Sequence, residues 1–237
     1  MNFEAYIAEF VGTFLLMLLI NGIVANVSLE KSGMKGAGSL FICIGCGFAV
    51  MLPCFIFGAA SGAHLNPALS IALAIDGSLP LIDLPGYIIA QMVGAFLGAC
   101  LVYVLYKDHF DATEDPATKL GVFSTSPTIK NTPRNFLSEV VGTFILVFAI
   151  KGIGQVTGIA GGVSPVLVWG IICAVGMSVG GLTGFAINPA RDLGPRIAHA
   201  VLPIKGKGSS NWGYAWVPVF GPIVGAIIGV GLYALIF

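Results

Sequence analysis

Residues 184–196 read Gly-Phe-Ala-Ile-Asn-Pro-Ala-Arg-Asp-Leu-Gly-Pro-Arg, and a shorter copy, Gly-Ala-His-Leu-Asn-Pro-Ala-Leu-Ser, stands at residues 62–70. In each copy the Asn can cap a helix that begins with Pro, because the N–H that Pro lacks has no partner in a first turn. Each helix is predicted to be short, near residues 66–76 and 188–199. About ten residues reach ~15 Å, half of a ~30 Å hydrocarbon core. Neither helix could cross a membrane, but two that enter from opposite sides could meet at its centre.

The composition indicates that the whole chain lies in a membrane. Of its 237 residues, 57% are hydrophobic and only 9% are charged, which is too much apolar surface for a soluble core. The N-terminus lacks a positively charged region, so the first apolar run is expected to remain as a span. We therefore predict an all-α, multi-pass protein of the cell membrane. Its six transmembrane helices are expected near residues 5–27, 38–60, 85–106, 135–158, 164–183 and 213–236.

The chain repeats itself. Residues 8–16, Ala-Glu-Phe-Val-Gly-Thr-Phe-Leu-Leu, recur as Ser-Glu-Val-Val-Gly-Thr-Phe-Ile-Leu at residues 138–146. Three spans, an odd number, separate each element from its copy, so the second half must enter the membrane upside down. The predicted organisation is a first repeat at residues 1–110, a polar connecting loop at 111–134, and an inverted second repeat at 135–237. This parity brings the two Asn-Pro-Ala helix starts face to face at the membrane centre.

Two helix starts that meet there favour neutral solutes. Each N-terminus carries roughly half a positive charge, which repels cations, while Asn66 and Asn188 can donate to a hydroxyl oxygen. The approaches to both helices cannot be helical and leave carbonyl groups unpaired, which a membrane tolerates only beside a wet cavity. Arg191 lies about one turn past Asn188 and would add a fixed positive charge to the passage. The residues predicted to supply these unpaired carbonyl groups are Gly62, Ala63, His64, Leu65, Gly184, Phe185, Ala186 and Ile187. The alternative, that Asn-Pro-Ala merely caps two buried helices, is disfavoured by the inverted duplication.

The acidic residues inside the apolar runs have two interpretations. Glu9 and Glu139 occupy matching positions and could form a proton relay, but their duplication favours a structural role in accepting backbone N–H groups of the re-entrant loops. Asp192 is expected to hold Arg196 by a salt bridge near the membrane surface. The His64 side chain is interpreted as a packing residue. No His or Cys spacing suits a metal, and no cofactor is predicted.

These segments resemble the aquaporin family, and the resemblance covers essentially the whole chain. The run from Asn188 to Arg196, with Asp192 after the Arg and a basic residue four positions further on, is similar to the glycerol-facilitator (aquaglyceroporin) branch. The resemblance implies a homotetramer in the lipid bilayer with one pore per subunit. It also implies cytoplasmic termini. Most of the Lys and Arg residues, however, lie in the first, third and fifth connections, on the side opposite to the termini, and the positive-inside rule taken alone would make that side cytoplasmic.

The positions of the family's narrow selectivity filter can be located in this sequence by their distance from the two Asn residues. It implies a selectivity filter of Arg191, Phe185, Gly176 and Cys46. The glycerol-facilitator branch usually has Trp at the position of Cys46, so the sequence predicts a wider opening that would pass dihydroxyacetone or protonated lactic acid. Of the five cysteines, only Cys46 is then expected to face water.

The leading hypothesis is thus a passive channel for water, glycerol and other small neutral solutes that excludes ions and protons. The alternative is an ion- or proton-coupled secondary transporter of a small polar solute, since inverted repeats with intramembrane acids also describe that class. An anion channel is a weaker third hypothesis. No nucleophile–base pair suggests an enzyme, and no basic block suggests a nucleic-acid partner.

Overall fold

The structure, a computed structural model, describes residues 2–157 and 162–237. In these residues the chain forms helices and no strands. The helices follow one another as α1 (Phe3–Ser28), α2 (Gly38–Ser61), α3 (Pro67–Ile75), α4 (Leu84–Leu105), α5 (Lys107–Ala112), α6 (Pro116–Phe123), α7 (Thr132–Gln155), α8 (Ser164–Thr183), α9 (Pro189–Val201) and α10 (Val217–Ile236).

Six of these helices, as judged from the described part of the chain, are long and apolar enough to cross a membrane. They are α1, α2, α4, α7, α8 and α10, with 20 to 26 residues each. The predicted fold class, six spans with a short helix after the second and the fifth, is confirmed. The fourth span ends at Gln155, and the predicted end at residue 158 lies outside the described residues. The last span begins at Val217 rather than near residue 213, because residues 212–216 form a turn.

The two short helices begin as their sequence predicts. The Asn66 side chain accepts from Ala68 N at 3.0 Å, and the Asn188 side chain accepts from Ala190 N at 2.9 Å. Helix α3 has 9 residues and ends before a turn at Gly77, whereas α9 has 13 residues and continues through Pro195. At 1.5 Å per residue the two measure about 14 and about 20 Å, so neither crosses the hydrocarbon core.

Glycines bring equivalent helix pairs of the two halves into close contact. A methyl group on Gly94 of α4 would overlap the Phe10 carbonyl oxygen of α1. On α10, a methyl group on Gly225 would overlap the Val140 carbonyl oxygen of α7 in the same way. Backbones that approach this closely gain dispersion energy over a long interface, the usual basis of helix association in lipid. The α1–α4 and α7–α10 pairs are therefore packed in the same way in the two halves.

The polar segment between the halves is more ordered than the predicted loop. It contains α5 and α6, and α7 already begins at Thr132 because Asn131 accepts from Arg134 N at 3.2 Å. Asp115 caps α6 by accepting from Thr118 N at 2.9 Å, and Pro116 occupies its first turn. Helix α6 buries Phe123 completely, so the segment is anchored in the body of the protein.

Candidate functional site

A cavity of about 880 Å³ runs through the interior between the two halves. It follows α2 from Leu40 to Cys54, two residues 14 positions apart, and at 1.5 Å per position this corresponds to about 21 Å. Both non-helical approaches, at residues 62–65 and 184–187, line it together with the two short helices. The cavity is therefore elongated, and the duplicated motif lies along its wall.

The two Asn-Pro-Ala motifs meet inside this cavity and bond to each other. Asn66 Nδ2 donates to the Ile187 carbonyl at 2.9 Å, and Asn188 Nδ2 donates to the Leu65 carbonyl at 2.8 Å. Each amide oxygen caps its own helix, so one N–H of each amide is left over. The helix starts are thus fixed tip to tip by a reciprocal pair of hydrogen bonds, with one spare donor on each side.

The approaches adopt an unusual backbone. Helices α2 and α8 both end at a left-handed glycine, Gly62 with φ 80° and Gly184 with φ 83°. Further along each approach, alternate residues also have positive φ although they carry side chains, as at Leu65 with φ 52° and Ile187 with φ 44°. Each such residue costs about 1–3 kcal/mol and persists only where its surroundings impose it. The equivalent strain in both halves calls for an equivalent support.

In the first half, the Glu9 carboxylate provides that support. It is completely buried; its Oε1 accepts from His64 N at 2.8 Å and its Oε2 accepts from Leu65 N at 2.7 Å. The same carboxylate accepts from the Ser61 hydroxyl at 2.7 Å and from Gln91 Nε2 at 2.8 Å. Because the N–H groups turn towards the carboxylate, the carbonyl groups of this stretch are free to face the cavity.

In the second half, Glu139 makes the matching bonds. It is completely buried and accepts from Ala186 N at 3.1 Å, Ile187 N at 2.8 Å and the Thr183 hydroxyl at 2.7 Å. These are the backbone contacts that a structural role requires. A proton relay would instead need a path from the carboxylate to the cavity, and neither Glu9 nor Glu139 is among the described residues that line it.

The Phe185 ring lies where two glycines of α8 make room for it. A methyl group on Gly176 would stand 3.0 Å from Phe185 Cζ, and one on Gly180 would stand 2.7 Å from Phe185 Cδ1. Any side chain at either position would displace the ring. Both Phe185 and Gly176 line the cavity, so the ring forms part of its wall.

Arg191 completes this side of the cavity. The residue is 8% exposed, and its Nη1 donates to the Phe123 carbonyl at 3.3 Å. Cys46, on α2, also lines the cavity. The four residues predicted for the filter are therefore brought to one cavity.

A buried ion pair anchors the segment whose Phe123 carbonyl accepts from Arg191. Asp192 accepts from Arg196 Nε at 2.8 Å and from Thr125 N at 2.7 Å, and both charged side chains are completely buried. The predicted salt bridge is therefore present, and both of its side chains lie in the protein interior. The remaining N–H groups of Arg196 donate to the carbonyls of Thr125, Ser210 and Asn211, which satisfies the guanidinium away from water.

More cysteines line the cavity than the sequence prediction allowed. Cys43 and Cys54 lie on its wall together with Cys46, so the expectation that Cys46 alone faces water is wrong. The reason is their spacing: residues 43, 46, 50 and 54 follow the three- and four-residue period of one helix face. That period was visible in the sequence and predicts all three thiols together.

Sequence reasoning also missed an ion pair between the halves. Lys151, near the end of α7, lies 2.8 Å from Asp76, which caps the end of α3. Burial acts to raise the pKa of the Asp76 carboxyl, but hydrogen bonds from Lys151 and Ser78 outweigh it, so that the pKa lies below its usual value. The signal available in the sequence was Lys151 itself, a single lysine within an apolar run. In the described part of the chain, no group of three His, Cys, Asp or Glu side chains could hold a metal ion.

Comparison with known proteins agrees with this geometry. The family model described as major intrinsic protein matches residues 1–233. This chain belongs to that family, the family of the aquaporins. A probable glycerol uptake facilitator protein from Thermotoga maritima is 49% identical over 234 residues, which cover 99% of this chain and 100% of the relative. A glycerol uptake facilitator protein from Bacillus subtilis is 52% identical over 98% of this chain and 85% of its own length.

A solved structure shows the same fold. The X-ray structure of the aquaglyceroporin from Plasmodium falciparum superposes with a TM-score of 0.87 at 33% sequence identity, covering 98% of this chain and 96% of the other. The resemblance predicted from the two Asn-Pro-Ala motifs is confirmed, and with it the glycerol-facilitator branch of the family. The protein is a multi-pass membrane protein.

The cysteine geometry yields a labelling prediction. Variants that retain only Cys43, only Cys46 or only Cys54 should each react with a small mercurial, because each thiol borders the cavity. A variant that retains only Cys173, buried but outside the cavity wall, should react more slowly and serves as the matched control. Mass spectrometry over a time course measures the reaction. Reaction confined to the Cys46 variant would contradict the position of the other two thiols.

Proposed function

We propose that the protein is a passive channel that conducts glycerol, water and other small neutral solutes and excludes ions and protons. The proposal rests on the cavity wall, to which both non-helical approaches contribute and on which the bonded pair Asn66 and Asn188 lies. The printed names of the relatives, glycerol uptake facilitators, support glycerol as a solute.

The cavity wall can replace the hydrogen bonds that a polyol makes with water. Hydroxyl groups donate to the carbonyl rows, and hydroxyl oxygens accept from the spare N–H groups of Asn66 and Asn188. Apolar side chains such as Leu16, Val50 and Ile172 also border the cavity and suit the carbon backbone of the solute. Because each polar group of the solute exchanges one hydrogen bond for another, a neutral polyol enters without a large desolvation cost.

Ions and protons meet an electrostatic barrier instead. The N-termini of α3 and α9 point their partial positive charges at one place, and Arg191 adds a full charge beside the cavity. Such an arrangement opposes cations and protons. The carbonyl rows carry the opposite partial charge, which disfavours an anion channel.

We propose that Cys46, Gly176, Phe185 and Arg191 together form the selectivity filter. With Cys in place of a Trp ring, the constriction is bounded mainly by Phe185 and Arg191. The wider opening would admit dihydroxyacetone or protonated lactic acid. The matching bonds of Glu9 and Glu139 also support two inverted repeats, residues 1–110 and 135–237, joined by residues 111–134.

The family assignment supports two further features as proposals. These are a homotetramer with one pore per subunit and termini on the cytoplasmic side. A coupled transporter is less well supported, because a coupling ion needs a charged ligand in the passage. Of the described residues that line the cavity, Arg191 is the one with a fixed charge, and it repels cations.

Glycerol entry without a gradient tests the channel proposal. Purified protein in liposomes should speed glycerol entry when pH and salt are equal on both sides, because the wall needs no coupled ion. Stopped-flow light scattering measures shrinking and reswelling, with protein-free liposomes as the control. Glycerol flux that appears only with an imposed proton or sodium gradient would contradict a passive channel.

The width of the filter is tested at Cys46. The Cys46→Trp variant should lower permeability to dihydroxyacetone by roughly ten-fold, and to glycerol by less, because the ring narrows the opening. The Cys46→Ser variant keeps the small side chain and should resemble the parent. Stopped-flow measurements on a series of neutral solutes give the ranking. An unchanged ranking in Cys46→Trp would place residue 46 outside the constriction.

A further inference from the structure

Two cysteines lie in the contact between α2 and α8. The Cys173 thiol of α8 is 3.6 Å from the Cys43 carbonyl oxygen of α2. The Cys43 thiol in turn lies 3.0 Å from where a Cβ of Gly176 would stand, less than one turn from Cys173 on the same helix. Both residues are buried, and both thiols are free in the structure. Each thiol therefore lies against the other helix.

The two helices approach closely enough here for a disulfide bond. A Cβ on Gly47, one turn after Cys43, would overlap the Cys173 thiol at 2.7 Å and the Trp169 carbonyl oxygen at 2.9 Å. From the 3.6 Å contact and standard bond lengths, the Cα atoms of Cys43 and Cys173 are at most about 9 Å apart, and closer for any bent arrangement of the atoms between them. Disulfides span about 4.4–6.8 Å between Cα atoms, so rotation of the thiols and a small approach of the helices would join the pair.

Other thiols near Cys43 are poorer partners for it. Cys46 is three residues further along α2, and Cβ atoms at this spacing on a helix lie about 5–6 Å apart. A disulfide needs about 3.5–4.5 Å, so a bond between Cys43 and Cys46 would distort the helix. Cys54 is on the same helix, roughly 16 Å along its axis. Of these three, Cys173 is therefore the partner that leaves both helices intact.

The two thiols of the pair differ in their access to solutes. Cys43 lines the cavity, whereas Cys173 is not among the described residues that do so. A small neutral oxidant in the cavity therefore meets Cys43 and not Cys173. Hydrogen peroxide belongs to this class, since it is uncharged, close to water in size, and donates and accepts hydrogen bonds through hydroxyl groups as a polyol does.

We propose that Cys43 and Cys173 form a disulfide when hydrogen peroxide enters the cavity, with Cys43 oxidised first. The Cys43 sulfur attacks one peroxide oxygen; the O–O bond breaks, an S–OH bond forms and water leaves. The Cys173 sulfur then attacks the Cys43 sulfur; the S–S bond forms, the S–OH bond breaks, and the hydroxyl leaves as water with the Cys173 proton. The two thiols together lose two electrons, and one peroxide is reduced to two waters.

The bond would join the two predicted repeats beside the proposed filter. Helix α2 belongs to the first repeat and α8 to the second, and a Cβ on Gly176 would stand 3.0 Å from both the Cys43 thiol and Phe185 Cζ. The link also closes a loop of 130 residues, which should raise the midpoint of thermal unfolding by about 5 °C or more. The inference requires that the cavity admits a small neutral peroxide, but it does not require that glycerol crosses.

Peptide mapping tests which thiols pair. Protein in liposomes is treated with hydrogen peroxide, remaining thiols are alkylated, and the digest is analysed by mass spectrometry without reduction. We expect one cross-linked pair, Cys43 with Cys173, that a reductant separates. The Cys46→Ser variant keeps both partners, so it is the matched control and should give the same pair. No cross-link, or one from Cys173 to a different thiol, would overturn the inference.

Single-thiol variants test the order of the two steps. In Cys173→Ser, peroxide should leave a sulfenic acid at Cys43, which dimedone traps. In Cys43→Ser, Cys173 should stay reduced over the same time, and the unfolding midpoint should not change with peroxide. Oxidation of Cys173 in that variant would overturn the assigned order. Glycerol flux through the untreated parent is measured on the same liposomes; its absence would contradict the channel proposal and would not affect the cross-linking result.

Discussion

Two buried carboxylates determine what the rest of this structure can do. A bilayer offers no water to backbone groups, so non-helical chain at its centre is stable only if every N–H finds a partner in the protein. Glu9 and Glu139 each accept two successive approach N–H groups, at distances from 2.7 to 3.1 Å. With the N–H groups held on one side, the carbonyl groups of these stretches are free to face the cavity that the same stretches line. The reciprocal bonds of Asn66 and Asn188 then align the two rows end to end.

The halves share this framework but have diverged in the polar groups around it. In the second half, Asp192 and Arg196 form a buried pair that holds Thr125 and, next to it, the Phe123 carbonyl that accepts from Arg191. In the first half, Ser70 occupies the position of Asp192; its Oγ accepts from Gln91 Nε2 at 2.9 Å and lies 3.1 Å from His64 Nδ1. The two halves thus place different polar groups at equivalent positions.

Much of this architecture could be predicted from local sequence. The six spans follow from apolar length, and the two short helices follow from Asn-Pro-Ala, because capping and a first-turn Pro are local effects. The roles of Gln91 and Ser70 could not be predicted, since they depend on contacts with Glu9 and His64 from distant parts of the chain. The burial of Arg196 has the same cause: its partners Thr125 and Ser210 are 71 and 14 residues away. Helix α6 was missed because a short helix gains its stability from the body it packs against.

The central claim is that the carboxylates keep the carbonyl rows open to the solute. The most direct measurement is the glycerol permeability of the Glu139→Gln variant in proteoliposomes, normalised to correctly folded protein. Gln matches Glu in size, but its NH₂ group would face a backbone N–H of Ala186 or Ile187 and leave that donor unpaired. At about 1–3 kcal/mol for such a group, the approach should lose its geometry and glycerol permeability should fall roughly ten-fold or more. Glycerol permeability equal to that of the parent would contradict the claim.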